Sequence, residues 1–289
     1  MEQGQKLVSI GMPTFYRDYK GDYIKEAIES LLNQTYHNIE LIISDNASPH
    51  RIEVCEEYVR KDKRVHYIRQ KENIGEMRNY NFVLDGSKGE YFMWACDDDL
   101  WDREYIARCV DVLKKKPNAV VAFGKYVLFD NRLGIRKEFN PAKDFPGGEG
   151  GNIYKRLRSY ILTRWTDSKG VLAFGLWRRS VLTNNRKGDY WGSDMNFTFR
   201  GLMEGTLVYI DKFLFFKRMN FENEKMKPRG LFYRIFRALV LRLGWLVSPL
   251  FFTFAIDIVK NKKLNLDEKI KLLFYNLFVA ARMFWDKKI

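Results

Sequence analysis

Apolar runs alternate with amphipathic stretches along the first 125 residues of the chain. The runs are rich in branched and aromatic side chains, as buried strands are, and the stretches between them have the 3.6-residue spacing of helices. The predicted strands cover residues 7–12, 39–44, 64–69, 90–95 and 119–124, and the predicted helices cover residues 22–34, 50–60, 74–85 and 103–115. This alternation predicts βαβ units, in which parallel strands form one sheet with helices on both faces.

Short loops of distinctive composition follow the first four predicted strands. They are PTFYR (13–17), DNAS (45–48), ENIGEMRN (72–79) and DDD (97–99). Ligands of open α/β sheets bind outside the carboxyl ends of the strands, so these loops are expected to line one site. Three of the four are polar or charged, which the packing of a core does not require.

Two sets of carboxylates are candidates for chemistry. Asp97, Asp98 and Asp99 repel one another unless water or a cation neutralises them. A solvated turn explains such a triplet by itself, but its place after a predicted central strand favours a divalent cation that also contacts a diphosphate. Asp194 opens a helix with apolar periodicity, and its spacing alone favours a capping or first-turn acid.

Five ordered motifs resemble those of the family-two inverting glycosyltransferases. They are the stretch 8–50, ENIGEMRNYNFVL (72–84), YFMWACDDDLW (91–101), LAFGLWRRSVL (172–182) and GSDMNFTFRGLMEG (192–205). The resemblance covers roughly residues 5–220. It implies the GT-A fold, an α/β, Rossmann-like architecture whose mixed, mostly parallel sheet is flanked by helices, followed here by a C-terminal helical extension. It also implies transfer of a sugar from a nucleotide-diphosphate donor, expected to be a UDP-sugar, to an acceptor hydroxyl with inversion.

The resemblance assigns roles to individual residues. Asp194 matches the general base, Asp99 the preferred ligand of Mn²⁺ or Mg²⁺, and Asp97 the second ligand. Asp97 and Asp98 are also expected beside the donor, with Asp98 at the ribose or the sugar. The other donor-binding residues implied by the resemblance are Pro13, Thr14 and Tyr16 along the base, Asp45 as its hydrogen-bonding acid, and Asn73, Gly75, Arg78 and Asn79 beside the nucleoside and diphosphate. Arg78 or Arg218 is expected to assist the leaving group.

The chain departs from the family pattern at several of these positions. Cys96 stands where many members have the first acid of the metal motif, and Ser193 where the residue before the base is commonly Glu. The sequence Asp45-Asn46-Ala47-Ser48 replaces a common Asp-Asp-Gly-Ser, and residues 217–224 lack a frequent histidine. These departures bear on the metal geometry and the donor identity more than on the reaction class.

The positive charge of the chain is concentrated at its C-terminal end. The whole chain has 50 Lys and Arg against 36 Asp and Glu, a net charge of +14, but residues 225–289 alone have 14 basic and 4 acidic side chains. This asymmetry predicts a catalytic domain at 1–224 and a basic, amphipathic helical region at 225–289. The basic excess coincides with apolar runs and no nucleic-acid motif is recognised, so an anionic membrane is favoured as partner over nucleic acid.

Two apolar features of this region support membrane association. Residues 243–256 carry no charge, but a helix of that length spans about 21 Å, less than the roughly 30 Å hydrocarbon core, so an interfacial, re-entrant or core segment is predicted. Further on, one helical stripe contains Leu266, Ile270, Leu273, Leu277, Ala281 and Phe284. Such a stripe ordinarily packs on a domain, and only together with the charge does it favour docking on a membrane surface.

The expected protein is therefore cytoplasmic and peripherally attached to the inner face of the cell membrane. Its three cysteines form no disulfide framework, which favours a reducing compartment. The expected acceptor is a saccharide or a lipid-linked saccharide in cell-surface polysaccharide assembly. Two alternatives stay open: a nucleotidyltransferase-like enzyme, which would ordinarily have a glycine-rich first loop with a lysine, and a non-catalytic, membrane-associated module that binds nucleotide sugars.

Overall fold

The computed structural model describes residues 4–15, 23–163, 169–186, 188, 192–219 and 249–285. The strands in these ranges are β1 (Val8–Thr14), β2 (Ile39–Asp45), β3 (Val65–Arg69), β4 (Tyr91–Trp94), β5 (Leu100–Trp101), β6 (Ala119–Asp130), β7 (Ile135–Phe139), β8 (Leu176–Arg178) and β9 (Thr206–Arg218). The helices are α1 (Tyr23–Leu32), α2 (Glu53–Lys61), α3 (Glu76–Asp85), α4 (Tyr105–Lys115), α5 (Pro141–Asp144), α6 (Ile153–Leu162), α7 (Arg179–Thr183), α8 (Ser193–Glu204), α9 (Pro249–Lys260) and α10 (Leu266–Trp285).

The strands form one mixed sheet in the order β3-β2-β1-β4-β8-β6-β9-β5, with β7 paired to β6. Strands β1 to β4 pair in parallel, as the alternating pattern predicts. Strand β8 then runs antiparallel to both β4 and β6 and separates them. The predicted fold class is confirmed, although the simple βαβ succession ends at β4 because the three residues of β8 insert from a distant part of the sequence.

Helix α8 covers the sheet near the end of β4. Phe197 on α8 packs edge-on against Trp94 of β4 and Trp177 of β8, with ring centroids 5.1 and 5.0 Å apart. All three side chains are almost completely buried. Strands β1, β2 and β4 are buried at almost every position on both faces because helices cover both sides of this part of the sheet.

Helices α9 and α10 form an antiparallel hairpin that packs on the rest of the protein. The Asn276 amide donates to the Phe251 carbonyl, and Lys269 Nζ donates to the Val259 carbonyl, which sets the two helices in opposite directions. Helix α9 contacts α8, and α10 contacts α6. Phe254 and Leu272 are buried in the same hydrophobic cluster as the sheet. The described part of the C-terminal region therefore shares one core with the N-terminal part.

The predicted domain boundary at residue 224 lies outside the described residues, and so do residues 231–241 and the first part of the uncharged run 243–256. None of the helices in the described ranges combines the length and apolar composition needed to cross a bilayer.

Candidate active site

The carboxyl ends of the parallel strands bring three predicted loops together. Thr14 at the end of β1 is in register with Asp45 at the end of β2, which is in register with Arg69 at the end of β3. The Thr14 hydroxyl also donates a hydrogen bond to Asp97 Oδ2, so the first loop touches the acidic triplet directly. Pro13 is partly buried beside Thr14, and Tyr16 lies outside the described residues.

Asp45 is fully buried and accepts hydrogen bonds on both carboxylate oxygens. Oδ1 accepts from the Ser48 amide and hydroxyl. Oδ2 accepts from the Tyr67 hydroxyl and from Arg69 Nη1, both at 2.8 Å. Burial and this hydrogen bond raise the pKa of Tyr67 above its ordinary value. Asp45 thus fixes the loop after β2 against β3. The contact of Asp45 with the donor base stays a prediction. Tyr67 and Arg69, which bind Asp45 here, are not among the residues that the sequence motifs identified.

The loop before α3 is held by two asparagine side chains. Asn46 donates to Asn73 Oδ1 at 3.0 Å and accepts from the Ile74 amide at 2.8 Å, while the Gly75 amide donates to Asn73 Oδ1. Gly75 precedes α3 with φ of 89°, a conformation that costs glycine little because it has no Cβ. The first amide groups of α3 follow directly, and such groups favour an anionic ligand.

Two further residues predicted at the donor have different surroundings on α3. Asn79 is buried, and its amide accepts from the Ser44 hydroxyl and donates to the Ser44 carbonyl, which binds α3 to β2. Arg78 is exposed on the same helix. Arg78 is therefore the more accessible of the two for a ligand in solution.

The triplet contains one buried carboxylate oxygen that lacks a hydrogen-bond partner. Asp99 is completely buried, and its Oδ1 accepts from the Arg218 amide at 2.8 Å. Its Oδ2 has no hydrogen-bond partner within the described part of the chain, and Lys217 Nζ lies 3.9 Å away. Burial raises the pKa of Asp99 to about 7 and that of Asp97 to about 6, while Asp99 raises the pKa of Lys217.

These residues fit a divalent cation. One ligand atom each from Cys96, Asp98 and Asp99 lies within 4.8 Å of the others, and Asp99 Oδ2 accepts no hydrogen bond in the described part of the chain, with Lys217 Nζ 3.9 Å away. Carboxylate oxygens suit Mg²⁺ and Mn²⁺, and the Cys96 sulfur is a softer ligand, whose pKa is raised by burial. The group differs from the predicted pair Asp99 and Asp97, because Asp97 is bound to Thr14 and Asp98 lies beside Asp99 instead.

Arg218 and Lys217 are adjacent on β9 but contact the triplet differently. Arg218 Nε donates to the Asp98 carbonyl, its guanidinium pairs with Glu26, and its backbone amide donates to Asp99. These bonds make Arg218 a support of the triplet. Lys217 is partly exposed and is the cation that faces Asp99 Oδ2, although no sequence motif singled it out.

Asp194 lies in the first turn of α8 and is half-buried. A Cβ atom on Gly170 would lie 2.9 Å from Asp194 Oδ2, so a residue without a side chain permits this close approach. The Ser193 hydroxyl lies 3.2 Å from Met77 Sδ, which brings the start of α8 beside the start of α3. Since Phe197, one turn later, packs on Trp94, Asp194 lies in the same region as the triplet and the α3 loop.

The chain is similar to proteins of one enzyme family. The model described as Glycosyl transferase family 2 matches residues 9–183. An uncharacterized glycosyltransferase of Rickettsia conorii is 34% identical over 142 residues, which cover 48% of this chain and 23% of that protein. The chain thus spans less than a quarter of the length of this curated relative.

Two solved structures share the fold. The crystal structure of S. aureus TarS 1-349 in complex with UDP-GlcNAc has a TM-score of 0.65 at 17% identity and covers 95% of this chain and 72% of that one. The mannosyltransferase PcManGT from Pyrobaculum calidifontis, in complex with GDP-Man and Mn²⁺, has a TM-score of 0.52 at 15% identity and covers 99% and 89%. These likenesses support the predicted GT-A architecture.

Proposed function

This chain belongs to glycosyl transferase family 2, and we propose that it transfers a sugar from a nucleotide-diphosphate donor to an acceptor hydroxyl with inversion at the anomeric carbon. One observation carries the proposal: a buried, unpaired Asp99 oxygen lies beside Cys96, Asp98 and Lys217 at the carboxyl end of β4. Such a cluster is suited to a cation and the diphosphate that accompanies it.

The proposed donor is a UDP-sugar. The structurally similar TarS has been crystallised with UDP-GlcNAc, which supports the choice of UDP as the first nucleotide to test. The loops around Thr14, Asp45 and Asn73 would receive the nucleoside. Arg78 and the amide groups at the start of α3 would face the diphosphate, because both are positive and accessible there.

The proposed metal ligands are Asp98, Asp99 and Cys96. When bound, Mn²⁺ or Mg²⁺ would neutralise the charge that develops on the departing diphosphate. Lys217 contributes a second positive charge at the same place. Its ammonium group faces Asp99 in the structure, and the N–H groups of this ammonium would also donate to a phosphate oxygen of the donor.

Asp194 is the proposed general base. In a single displacement, the acceptor oxygen bonds to the anomeric carbon as the bond from that carbon to the diphosphate breaks, and the hydroxyl proton goes to the Asp194 carboxylate. The scheme needs no covalent nucleophile. The proposed acceptor is a lipid-linked saccharide in cell-surface polysaccharide assembly, and we propose peripheral attachment to the inner face of the cell membrane through the C-terminal region.

The test compares Asp194→Asn with the unsubstituted protein in two assays. We expect UDP release from UDP-GlcNAc and UDP-glucose, with Mn²⁺ present and water as acceptor, to fall by about 10²–10⁴. UDP binding, measured by calorimetry, should change less than threefold because the carboxylate acts on the acceptor. Asp111→Asn, on the exposed side of α4, is the matched control.

Equal losses of UDP binding and UDP release in Asp194→Asn would contradict the role as base. If the unsubstituted protein binds UDP and UDP-sugars but releases no UDP under any of these conditions, the non-catalytic alternative is supported instead.

A further inference from the structure

The C-terminal hairpin presents a row of apolar side chains to solvent. On α9 these are Phe252, Ile256 and Val259, with 52%, 48% and 56% of their surface exposed. On α10 they are Leu266, Ile270, Phe274, Leu277 and Phe278, with exposed fractions between 47% and 74%. In both helices the spacing is three or four residues, with Phe278 directly beside Leu277, so each helix has one outward apolar side. We call these eight residues the outer hairpin face.

Within the described part of the chain, the outer hairpin face is not used for packing on the protein. The opposite sides of the two helices, with Phe254, Ile258, Leu272 and Asn276, are buried and already contact the body. Leu266, Ile270 and Leu277 of the predicted apolar stripe face outward in the structure, although a stripe of this kind ordinarily packs on a domain. An apolar surface of this extent on a folded protein ordinarily marks an interaction site.

The surrounding charge distinguishes between two partners, a membrane and a second copy of the chain. The hairpin and its loop carry five lysines, Lys260, Lys262, Lys263, Lys269 and Lys271, against three acids, Asp257, Asp267 and Glu268, of which Asp267 pairs with Lys271. The preceding segment 225–248 has six Lys and Arg and no acid in its sequence. A second copy would bring two hairpins of net positive charge together, whereas an anionic bilayer offers both acyl chains and the opposite charge.

We propose that the outer hairpin face docks in the interface of an anionic bilayer, with α9 and α10 lying along its surface as a rigid part of the catalytic body. The basic side chains would contact phosphate headgroups while the aromatic and aliphatic side chains enter the acyl boundary. The proposed function includes attachment to the membrane through the C-terminal region, and this proposal identifies the surface that makes the contact. It therefore rests on the proposed function.

The inner side of the hairpin connects the docking surface to the proposed base. Asp257 on α9 accepts hydrogen bonds from the Asn196 amide at 2.9 Å and from Arg200 Nε at 2.8 Å, both on α8. Phe254 stacks on Phe199 of α8 with ring centroids 4.2 Å apart. Because α8 begins with Asp194, docking would hold the site at a fixed distance from the bilayer, as a lipid-linked acceptor requires.

The experiment measures the binding of the full chain to vesicles by flotation, without donor or acceptor. We expect binding to vesicles of phosphatidylcholine with 40% phosphatidylglycerol, at least tenfold weaker binding to pure phosphatidylcholine, and a decrease with salt. The double variant Ile270→Gln/Phe274→Gln should bind at least tenfold more weakly. Val59→Gln/Leu133→Gln removes two exposed apolar side chains elsewhere and should bind like the unsubstituted protein.

Equal binding by the two double variants would overturn the proposal, provided that circular dichroism and UDP binding show both to be folded. A concentration-dependent dimer in sedimentation velocity, lost in Ile270→Gln/Phe274→Gln and without vesicle binding, would identify a second copy as the occupant instead. Because UDP release is measured without vesicles, a failure of docking and a failure of sugar transfer give separate results.

Discussion

The three adjacent aspartates after β4 have three different surroundings. Asp97 is bound to the Thr14 hydroxyl, Asp98 lies within reach of Cys96, and Asp99 is buried with one oxygen bonded to the Arg218 amide and the other unpaired. The sequence does not show these differences, because the partners of Asp97 and Asp99 come from β1 and β9. The surroundings favour Asp98 and Asp99 over Asp97 as ligands.

This difference gives a direct prediction for metal binding in the presence of UDP. Asp98→Asn and Asp99→Asn should weaken Mn²⁺ affinity at least tenfold, because each removes a negative ligand. Asp97→Asn should weaken it less than threefold, because an amide oxygen can still accept from Thr14. Mn²⁺ titration followed by electron paramagnetic resonance measures the affinity of all three variants. A larger loss of affinity in Asp97→Asn than in Asp98→Asn would instead support Asp99 and Asp97, the ligand pair that the resemblance implies.

Among the elements, α8 connects the site with the C-terminal hairpin. Its first turn carries Asp194, and Phe197 packs on Trp94. The side of α8 that faces α9 is hydrogen-bonded to Asp257. The apolar periodicity after residue 193 predicts this helix well. The bond to Asp257 could not be predicted, because Asn196 and Arg200 have many polar partners available in a chain of this composition.

The α8–α9 connection predicts a cost in stability for Asp257→Ala. The substitution removes an acceptor that the buried Asn196 amide and Arg200 share, and we expect the free energy of unfolding to fall by about 1–3 kcal/mol in urea denaturation. Asp267→Ala removes an exposed acid of α10 that pairs with Lys271, and it is the control, expected to lower the free energy of unfolding by no more than about 0.5 kcal/mol. Equal stability of both variants would show that the hydrogen bonds to Asp257 do not hold the hairpin on α8.

Across the whole molecule, the hairpin behaves as part of the folded body. A chain ending at residue 248 would expose the sides of α6 and α8 that α9 and α10 cover, including Phe199. We expect this truncated protein to melt at least 10 °C lower than the full chain and to bind a hydrophobic dye, since several large buried side chains lose their contacts. Differential scanning fluorimetry measures both effects.

An unchanged melting temperature would indicate that the C-terminal region is a separable appendage, as its charge asymmetry alone suggests. Substitutions on the outer hairpin face test membrane docking better than this truncation does, because they leave the inner contacts of the hairpin in place.

The amino-acid sequence by itself determined the strands and helices of the first 125 residues apart from the two-residue β5, the family, the polar loops that meet at one edge of the sheet, and the location of the basic charge. These features can be read from the spacing of apolar residues, from the order of the motifs or from the number of charged residues in a segment. None of them requires knowledge of contacts between distant parts of the chain. The same is true of Asp194 at the beginning of a helix, although its proposed role comes from resemblance.

Only the tertiary structure decided the insertion of β8 between β4 and β6, the approach of Lys217 to Asp99, and the side of α10 that faces solvent. The first two depend on contacts between residues far apart in the chain, which no local pattern contains. The third arises because α10 is apolar on more than one side, so its periodicity cannot tell which side the core will bury.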